Sequence, residues 1–272
     1  MGVKVTKATG VIEEYSEDKI RASAKRVGVP DTFIAEMLAE IRAKLYDGIP
    51  TSEIFRIVRD YLAHSDKPHL ASKYNLKAAL AELGPSGYPF EQYVSALLQE
   101  EGYITKTNEI MTGKCVSHEV DVIATKDGIQ YFIEAKFHTN PSQRTDVRVP
   151  LYIRARYEDL SAKIGDLTAP WIVTNTRFSS DAIAYSNCVG IRLTSWGYPQ
   201  GEGITDMIER TGLHPLTMLD TLTTEDKKLL LSQNIVVCRQ LLLDKKAAAL
   251  IPEIRRQQVL EQVRHICEDP RP

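Results

Sequence analysis

The chain lacks any long hydrophobic stretch. No apolar run among its 272 residues approaches the roughly 18 residues that a membrane-spanning helix needs. Its first ten residues, MGVKVTKATG, also lack the apolar centre of a secretory signal peptide. These absences argue against a membrane protein and against a secreted one, and we expect the protein to be cytoplasmic.

Cysteine is scarce and scattered. The four cysteines, Cys115, Cys188, Cys238 and Cys267, lie far apart, with no CxxC pair and no nearby Cys/His pairing. This spacing argues against a structural zinc site and fits reduced thiols in a cytosolic protein. Internal repeats and low-complexity tracts are missing as well. The length of the chain then favours two or three compact folded units.

An excess of charge of either sign is also missing. The formal net charge is only −2, so the field of the whole protein gives no general attraction to nucleic acid. Any binding of nucleic acid must therefore depend on a local patch of positive charge.

Residues 11–82 carry the periodicity of amphipathic helices. Gly, Pro and Asp signals separate four such runs: EDKIRASAKRVGV, PDTFIAEMLAEIRAKLYDG, PTSEIFRIVRDYLAHS and KPHLASKYNLKAALAEL. The preceding stretch, KVTKATGVIEEYS, is typical of a short hairpin around Gly10. GPSGYP, at residues 84–89, indicates a boundary. We therefore predict a first, mainly helical domain at residues 1–84.

A second unit is predicted at residues 85–200. It opens with the amphipathic helix FEQYVSALLQEEGY, followed by two strands, a basic loop, the helix YIRARYEDLSAK, the strand PWIVTNT, a short helix and the strand VGIRLTSW. This order, αββ-loop-αβαβ, predicts a compact α/β domain. Residues 201–272 become helical again, and TMLDTLTTEDKKLLLSQNIVVCRQLLL has helix-turn-helix character with Asn234 as a turn residue.

The stretch EVDVIATKDGIQYFIEAKFH, residues 119–138, places three charged residues on otherwise apolar strands. Glu134 and Lys136 lie two residues apart, so in a strand they share a face. If residues 127–128 form the turn, Asp121 approaches Glu134 from the antiparallel neighbour. Two adjacent carboxylates are best held by a hard cation such as Mg²⁺, beside which Lys136 would orient a water or stabilise charge on a phosphate. The alternative is an exposed hairpin face whose charges are solvated or paired with one another.

These residues resemble a known signature. Asp121, then twelve residues, then Glu134-Ala-Lys136 is similar to the motif of the PD-(D/E)xK nucleases, with Val120 where the proline of the motif usually stands. GYPFEQYVSALLQEEGY resembles the opening helix of the Mrr-like restriction endonucleases. The resemblance covers roughly residues 85–200. It implies an α/β fold with a restriction-endonuclease-like αβββαβ core, a mixed central sheet flanked by helices, and hydrolysis of DNA phosphodiesters with Mg²⁺ or Mn²⁺.

The resemblance also implies roles for individual residues. Asp121 and Glu134 would be metal ligands and Lys136 the catalytic lysine, while Glu91 on the opening helix would be a further ligand. Gln143 would assist catalysis, as a glutamine in this region does in some relatives.

Three more polar residues lie around the predicted site. Tyr152 matches a tyrosine that assists the site in some relatives, and a core tyrosine is the alternative. For Gln143 the alternative is an ordinary loop amide. His118 and His138 flank the strands and would be able to reach phosphate or metal, but we favour a structural role for each.

Positive charge is concentrated next to the predicted carboxylates. Residues 136–156 contain one acidic residue, Asp146, and five cationic ones: Lys136, Arg144, Arg148, Arg154 and Arg156. Such residues would bind backbone phosphates without reading bases. The alternative is a solvated helix face paired with Glu158 and Asp159.

The N-terminal part resembles an ATP-cone, a nucleotide-sensing domain. VTKATGVIEEYSEDKIRAS is similar to its beginning, and GIPTSEIFRIVRDYL and HLASKYNLKAAL are similar to its later helices. The resemblance implies ATP or dATP as a regulatory ligand, because lysines and the amides of a glycine turn can hold phosphates. The residues that would surround the adenine nucleotide are Lys7, Gly10, Glu13, Ser16, Lys19 and Thr51.

Two features qualify the nucleotide prediction. Ala8 stands where the ATP-cone family usually has an arginine, which removes one cation. A Walker-type glycine loop is missing from the sequence, so we expect no nucleotide hydrolysis by this domain. The alternative is a helical domain with an ordinary lysine-bearing edge.

Together these patterns predict a cytoplasmic, prokaryotic, Mg²⁺-dependent endonuclease that acts on DNA and is regulated by an adenine nucleotide. The competing hypothesis is a non-catalytic, nucleotide-sensing DNA-binding regulator with a nuclease-like fold. The C-terminal segment, residues 201–272, resembles a helix-hairpin-helix-like element that contacts DNA, and a packing or dimerising helical pair is the alternative. A homodimer stays open, because symmetric dimers are common among such enzymes.

Overall fold

The computed structural model describes residues 2–7, 10–165 and 168–267 of the chain. The N-terminal part contains three short strands and five helices. Its elements are β1 (Lys4–Thr6), β2 (Ile12–Glu14), α1 (Glu17–Arg26), α2 (Asp31–Lys44), β3 (Ile49–Pro50), α3 (Thr51–Ala63), α4 (His69–Tyr74) and α5 (Leu76–Ala81).

The N-terminal hairpin forms as the sequence predicts. β1 pairs antiparallel with β2, and Gly10 in their connection has φ +80°, a conformation that favours glycine. β1 also pairs in parallel with β3, which is only two residues long and left no pattern in the sequence. The first three predicted helices are continuous, but the fourth predicted run is broken at Asn75 into α4 and α5. The apolar faces of α2 and α3 enclose a core that includes Ile34, Met37 and Leu62.

The second part contains a five-stranded mixed sheet. Its elements are α6 (Tyr88–Glu100), β4 (Ile104–Thr112), β5 (Ser117–Lys126), β6 (Ile129–Lys136), β7 (Arg144–Thr145), α7 (Arg148–Ile164), β8 (Thr168–Thr174), β9 (Arg177–Phe178), α8 (Ser180–Val189) and β10 (Arg192–Thr194). The strand order is β10-β8-β6-β5-β4, with antiparallel pairing among β4, β5 and β6 and parallel pairing of β6, β8 and β10. The predicted fold class, a mixed central sheet flanked by helices, is confirmed.

β4 is the strand that the hydrophobic pattern missed. The predicted order places two strands before the basic loop, whereas the structure has three. β4 lies at the edge of the sheet, and its side chains are exposed or half-buried throughout, so its sequence ITKTNEIMT carries little apolar alternation. The third strand completes the αβββ order that the nuclease resemblance implies.

Helices cover both faces of the sheet. On one face α6 buries Phe90 against Ile133 and Trp171. On the other face α7 and α8 cover Ile172, a member of a second cluster. Because Ile133 faces α6 and side chains alternate along a strand, Glu134 lies on the α7 side of β6. The sheet therefore directs the predicted site towards α7.

The C-terminal part is helical. Its elements are α9 (Ile204–Thr211), a 3₁₀ turn (Leu216–Met218), α10 (Thr224–Ser232), α11 (Gln240–Leu243), α12 (Lys245–Ala249) and α13 (Glu253–Cys267). A capping box starts α10, in which Thr223 and Asp226 each accept a hydrogen bond from the other's backbone N–H. Asn234, the predicted turn residue, has φ +60°. Among the helices of the described ranges, none is long and apolar enough to cross a membrane.

The C-terminal helices share a hydrophobic core with the sheet. The cluster that contains α6 continues through Leu216 to Ile266. It begins at Leu76, whereas the N-terminal core ends at Ala71. The two cores are thus divided at the break between α4 and α5. The boundaries at residues 84 and 200 stay predictions, and the packing joins both α5 and the C-terminal helices to the sheet.

Tyr93 provides a test of the shared core. Its fully buried hydroxyl donates a hydrogen bond of 2.7 Å to the backbone carbonyl of Leu213. Tyr93→Phe leaves that carbonyl without its donor, so we expect the free energy of unfolding to fall by about 1–2 kcal/mol. Urea denaturation of the full chain measures the change.

The matched control is Tyr88→Phe, which removes the hydroxyl of an exposed tyrosine on the same helix. We expect this variant to stay within about 0.5 kcal/mol of the parent. Equal stability of the two variants would contradict the prediction.

Candidate active site

The β5–β6 hairpin carries the candidate site. A two-residue turn connects the strands, with φ +52° at Asp127 and +80° at Gly128, as an Asp-Gly hairpin turn requires. Backbone pairing runs from Lys126↔Ile129 to Val122↔Ile133. The predicted turn and antiparallel pairing are therefore both present, and Asp121 lies just beyond the last paired residues.

The Asp121 side chain accepts a hydrogen bond from β6 at the point where the backbone pairing of β5 and β6 ends. Its Oδ2 accepts a hydrogen bond of 2.8 Å from the backbone N–H of Ala135. The side chain thus satisfies an amide on β6 beside Glu134. This contact fixes the Asp121 carboxylate next to the strand that carries the other two predicted residues.

The strand geometry changes at Asp121. Val120 packs with the cluster under α7, whereas Val122 packs with the cluster under α6. Residues two apart share a face in a regular strand, so the alternation is interrupted between them. On the neighbouring β4, Asn108 lies opposite Asp121 in the register and has φ +55°. Asparagine is among the few residues that adopt this left-handed conformation readily.

Glu134 is held from α7. Its Oε1 accepts a hydrogen bond from the hydroxyl of Tyr152, and its Oε2 accepts one of 2.9 Å from Nη1 of Arg156. Tyr152 and Arg156 lie four residues apart and therefore on one face of the helix. Arg156 also donates to the backbone carbonyl of Glu119 on β5. One arginine thus joins α7, β5 and the Glu134 carboxylate.

Charge repulsion is marked at this corner of the sheet. Burial and then the nearby charge of Glu134 raise the pKa of Asp121 from 3.8 to about 7, against the opposing effect of the Ala135 N–H. Burial, followed by the charges of Glu119 and Glu134, raises the pKa of Glu91, which a hydrogen bond from Asn108 partly offsets. Burial and the charge of Glu134 also raise the pKa of the Tyr152 hydroxyl. A cation would relieve this repulsion.

The predicted three-carboxylate ligand set is not gathered into one cluster. Across the described ranges, no three His, Cys, Asp or Glu side chains meet in an arrangement that could hold a metal ion. The reason is that both oxygens of Glu134 turn to Tyr152 and Arg156, and Asp121 turns to a backbone amide. Asp121 and Glu134 remain a candidate pair of oxygen ligands, with Glu91 close enough for its charge to influence both.

Lys136 and Gln143 occupy different surroundings. Lys136 follows Glu134 on the same face of β6 and is half-buried, and its charge reaches His138. Gln143 does not hydrogen-bond to the carboxylates within the described ranges, and its side chain contacts His138 instead. The structure therefore places Lys136, but not Gln143, with the carboxylate pair.

The two histidines are engaged in the fold. His138 is buried and its Nε2 lies 2.9 Å from Oγ1 of Thr145. Burial, and then the charge of Lys136, lowers its pKa. Nε2 of His118 lies 2.8 Å from Oδ2 of Asp159. The two oxygens of Asp159 also each accept a backbone N–H bond from the β4–β5 loop. These contacts are those of structural histidines.

Ion pairs reduce the predicted basic patch. Arg148 pairs with Asp146 at 2.5 Å and Arg154 pairs with Glu158 at 2.7 Å. Arg156 forms an ion pair with Glu134. Arg144 is exposed at the start of β7. The structure thus combines the two alternatives, because some cations are paired on the helix face and others lie beside the carboxylates.

The candidate nucleotide residues cluster around Glu13. Nζ of Lys7 lies 2.6 Å and Nζ of Lys19 lies 3.1 Å from the Glu13 carboxylate. Both lysines lower the pKa of Glu13. Thr51 follows the β3 residue that pairs with β1, which brings it towards Lys7.

The remaining nucleotide candidates lie along the same edge. Gly10 lies in the turn, where its backbone N–H bonds to the Lys7 carbonyl at 2.9 Å. Ser16 is the N-cap of α1, and its hydroxyl makes no capping hydrogen bond. Ala8 lies outside the described residues.

Sequence reasoning missed two residues of the candidate site. Arg156 was recognised only as part of a basic patch, although its spacing from Tyr152 places both on one helical face. Asn108 was missed because β4 carries no clear strand pattern. The i, i+4 spacing would have identified the first, and no sequence signal identifies the second.

Family models match three consecutive parts of the chain. An ATP cone domain matches residues 3–77, a restriction endonuclease domain matches residues 84–196, and a domain described as AF1548-like, C-terminal matches residues 214–267. The first two matches confirm the resemblances to an ATP-cone and to a restriction endonuclease.

Individual proteins also resemble the chain. An uncharacterized protein of Archaeoglobus fulgidus is 45% identical over 146 residues, which is 54% of this chain and 82% of that protein. The crystal structure of AF1548, a protein of unknown function, matches with 36% identity and a TM-score of 0.59 over 68% of this chain and 100% of that chain. The MspJI restriction endonuclease in complex with a 27-mer oligonucleotide is 14% identical with a TM-score of 0.37, over 73% of this chain and 42% of that chain.

The charge coupling at the site predicts an unusual titration. In protein without divalent cations, we expect the Asp121 carboxyl to titrate near pH 7 and Glu134→Gln to lower that pKa, because the charge of Glu134 is the second cause of the shift. Carboxyl ¹³C NMR follows the titration. An Asp121 pKa that is unchanged by Glu134→Gln would contradict the coupling.

The same shift has a consequence for stability. The folded state holds the Asp121 proton more tightly than the unfolded chain does. Protonation of Asp121 therefore adds to the free energy of unfolding, and this contribution is complete below pH 3.8 and is lost as pH rises through about 7. Asp121→Asn should remove this contribution, whereas Asp181→Asn, which changes an exposed residue in the first turn of α8, should leave it in place. Denaturation at several pH values separates the two variants.

Proposed function

The chain belongs to the family of AF1548 and joins an ATP-cone domain, a restriction endonuclease domain and an AF1548-like C-terminal domain, and from this premise we propose that it is an endonuclease that hydrolyses DNA phosphodiester bonds with Mg²⁺ or Mn²⁺. Its proposed regulator is ATP or dATP bound to the N-terminal domain.

One observation carries the proposal. Asp121 and Glu134 lie side by side at the end of the β5–β6 ladder, and their repulsion contributes to raising the pKa of Asp121 to about 7. Repulsion between two half-buried carboxylates lowers the stability of the folded state, so stability by itself does not account for this pair. A function that needs a cation at this point accounts for their presence.

The donor set fits a hard divalent cation. Carboxylate oxygens suit Mg²⁺ and Mn²⁺, and Mg²⁺ is commonly held by one or two protein carboxylates with water and phosphate oxygens as the other ligands. The Glu134 oxygens each have a further lone pair besides the one that accepts from Tyr152 or Arg156. When bound, Mg²⁺ would lower the pKa of a water and neutralise charge on the scissile phosphate.

The chain's own residues would act around that cation. Tyr152 and Arg156 orient Glu134, and the Ala135 amide orients Asp121. Lys136, on the same face of β6 as Glu134, would bind a phosphate oxygen and stabilise the negative charge that develops there. Glu91 would act through its charge rather than by direct ligation.

DNA is the proposed partner because backbone phosphates match the cations beside the carboxylates. Lys136 and the exposed Arg144 are available on the loop side of β6, whereas Arg148 and Arg154 already have acidic partners. Contacts of this kind bind DNA without reading its sequence. A homodimer and the cytoplasmic location stay predictions.

A specific observation favours a second candidate function. Arg156 and Tyr152 already donate hydrogen bonds to both oxygens of Glu134, so this carboxylate has partners without any metal. A non-catalytic, nucleotide-sensing DNA-binding regulator would retain the nuclease fold in this state. Calorimetric titration with Mn²⁺ separates the candidates, because the regulator needs no cation at Asp121.

Cleavage of plasmid DNA tests the enzyme. We expect nicking in the presence of Mg²⁺, and we expect Asp121→Asn, Glu134→Gln and Lys136→Met each to lower the rate by roughly 10²- to 10³-fold. The first two variants remove a charged ligand of the cation, and the third removes the ammonium that stabilises negative charge on the phosphate. Gel electrophoresis of time courses gives the rates.

Asp127→Asn is the matched control for Asp121→Asn. It removes one carboxylate from the same hairpin, and Asn-Gly is as favourable a turn as Asp-Gly. Full activity of Asp121→Asn alongside this control would refute the enzyme.

Thermal unfolding tests the nucleotide. ATP or dATP at 100 times its Kd should stabilise the protein by about 2.7 kcal/mol and raise its Tm. The double variant Lys7→Ala/Lys19→Ala should lose the shift, because both lysines meet at Glu13. The control Lys25→Ala/Lys44→Ala removes two lysines from surface ion pairs elsewhere in the domain and should keep it. If neither nucleotide changes the Tm of the parent chain, regulation by this domain is excluded.

A further inference from the structure

A cavity lies between the N-terminal domain and the C-terminal helices. Its volume is about 340 Å³. The N-terminal domain contributes the end of α1 and the start of α4, and the C-terminal part contributes the region after α9, the 3₁₀ turn and the end of α13. The candidate nucleotide residues around Glu13 do not line it. The cavity is therefore separate from the site that the ATP-cone resemblance implies.

Positive charge dominates the polar part of this cavity. Four cationic side chains line it against one acid, Glu209: Arg26, Lys67, Lys73 and Arg239. Arg239 pairs with Glu100 at 2.7 Å. Arg26 and Lys67 form no ion pair with any part of the chain that the structure describes. Cations that converge in a cleft raise the local concentration of anions.

His214 supplies a second, independent observation. The side chain lines the cavity and is only 9% exposed. Its Nδ1 is buried and has no hydrogen-bond partner in the described ranges. Burial, and then the charge of Lys73, lowers the pKa of His214 to about 4, so the ring is neutral at pH 7. Buried polar atoms in folded proteins almost always have a partner, and a ligand is one source of it.

The rest of the wall is apolar. Val27, Leu70, Leu76, Met218 and Ile266 line the cavity between the cations. Its volume falls at the lower end of the range for small-molecule sites, which is roughly 300–1,000 Å³. The walls thus combine the cations Arg26 and Lys67, one buried hydrogen-bonding atom and an apolar surface.

We propose that this cavity binds a small phosphorylated molecule with an apolar ring, of the size of a nucleoside monophosphate. Arg26 and Lys67 hold the phosphate. The ring packs against Leu70 and Met218, where a polar ring atom reaches Nδ1 of His214. Such a ligand contacts both the N-terminal domain and the C-terminal helices.

The position of the cavity gives the ligand a regulatory consequence. Helix α1 carries Lys19, a candidate nucleotide residue, in its first turn and Arg26 in its last turn. A ligand that binds Arg26 through its phosphate and reaches Met218 and His214 with its ring holds this helix against the C-terminal part. Occupancy of the cavity is thus coupled to the docking of the N-terminal domain.

Calorimetry with AMP tests the site. The full chain carries Lys7→Ala/Lys19→Ala, so that the nucleotide residues around Glu13 do not contribute. We expect one AMP per chain, and we expect Arg26→Gln/Lys67→Gln to weaken its affinity at least tenfold. The control Lys44→Gln/Arg56→Gln removes the same charges from surface ion pairs and should bind AMP unchanged. Unchanged affinity in Arg26→Gln/Lys67→Gln would overturn the proposal.

Two comparator ligands resolve the chemistry. Inorganic phosphate and adenosine should each bind at least tenfold more weakly than AMP, because each offers only half of the proposed contacts. Adenosine that binds as tightly as AMP would eliminate the phosphate site, and phosphate that binds as tightly as AMP would eliminate the ring contact.

A spectroscopic readout needs no variant of His214. In ¹⁵N NMR of the imidazoles, AMP should shift the Nδ1 resonance of His214 and leave that of His64, whose Nδ1 already lies 2.7 Å from the Asp60 carbonyl, in place. The absence of any His214 shift at saturating AMP would refute the assignment of Nδ1 to the ligand.

Discussion

Mutual repulsion between the carboxylates of Asp121 and Glu134 is the constraint on which the arrangement of this site depends. Hydrogen bonds from neighbouring secondary-structure elements partly offset this repulsion. The end of the β5–β6 ladder leaves the Ala135 amide for Asp121, and one face of α7 presents Tyr152 and Arg156 to Glu134. These contacts do not remove the repulsion, since the pKa of Asp121 stays near 7. The corner is therefore ready to accept positive charge.

The two proposed functions differ in one respect, which is whether a cation binds Glu134 in competition with Arg156. If the protein is an enzyme, Glu134 would be shared by Arg156 and a cation, and the arginine would orient this carboxylate. If it is a regulator, Arg156 would be the permanent counter-charge of Glu134. Both cases use the same backbone, because the interrupted alternation at Asp121 and the end of the β5–β6 ladder set the position of this residue. Chemistry and fold are thus decided by different residues.

Short-range patterns predicted much of this structure. The Asp127–Gly128 turn, the shared face of Glu134 and Lys136, and the Gly10 hairpin follow from strand periodicity and glycine conformation. β4 could not be predicted from the pattern, because an edge strand without a fully buried residue has no apolar alternation. The contact of Arg156 with Glu134 and the contact of Gln143 with His138 depend on how α7 and the loop pack on the sheet. Composition and spacing contain no such information.

The division of the two hydrophobic cores at Asn75 has a mechanical consequence. A single residue separates α4, which belongs to the ATP-cone, from α5, which is anchored under the sheet. The connection from α4 to α5 is therefore too short to act as a flexible linker between the ATP-cone and the restriction endonuclease domain. Any rotation of α4 must bend the backbone at this joint or pull α5 from its seat. A protease would find little extended chain to cut there, and the glycine-rich stretch downstream, although it looks like a hinge, lies on the far side of the anchor.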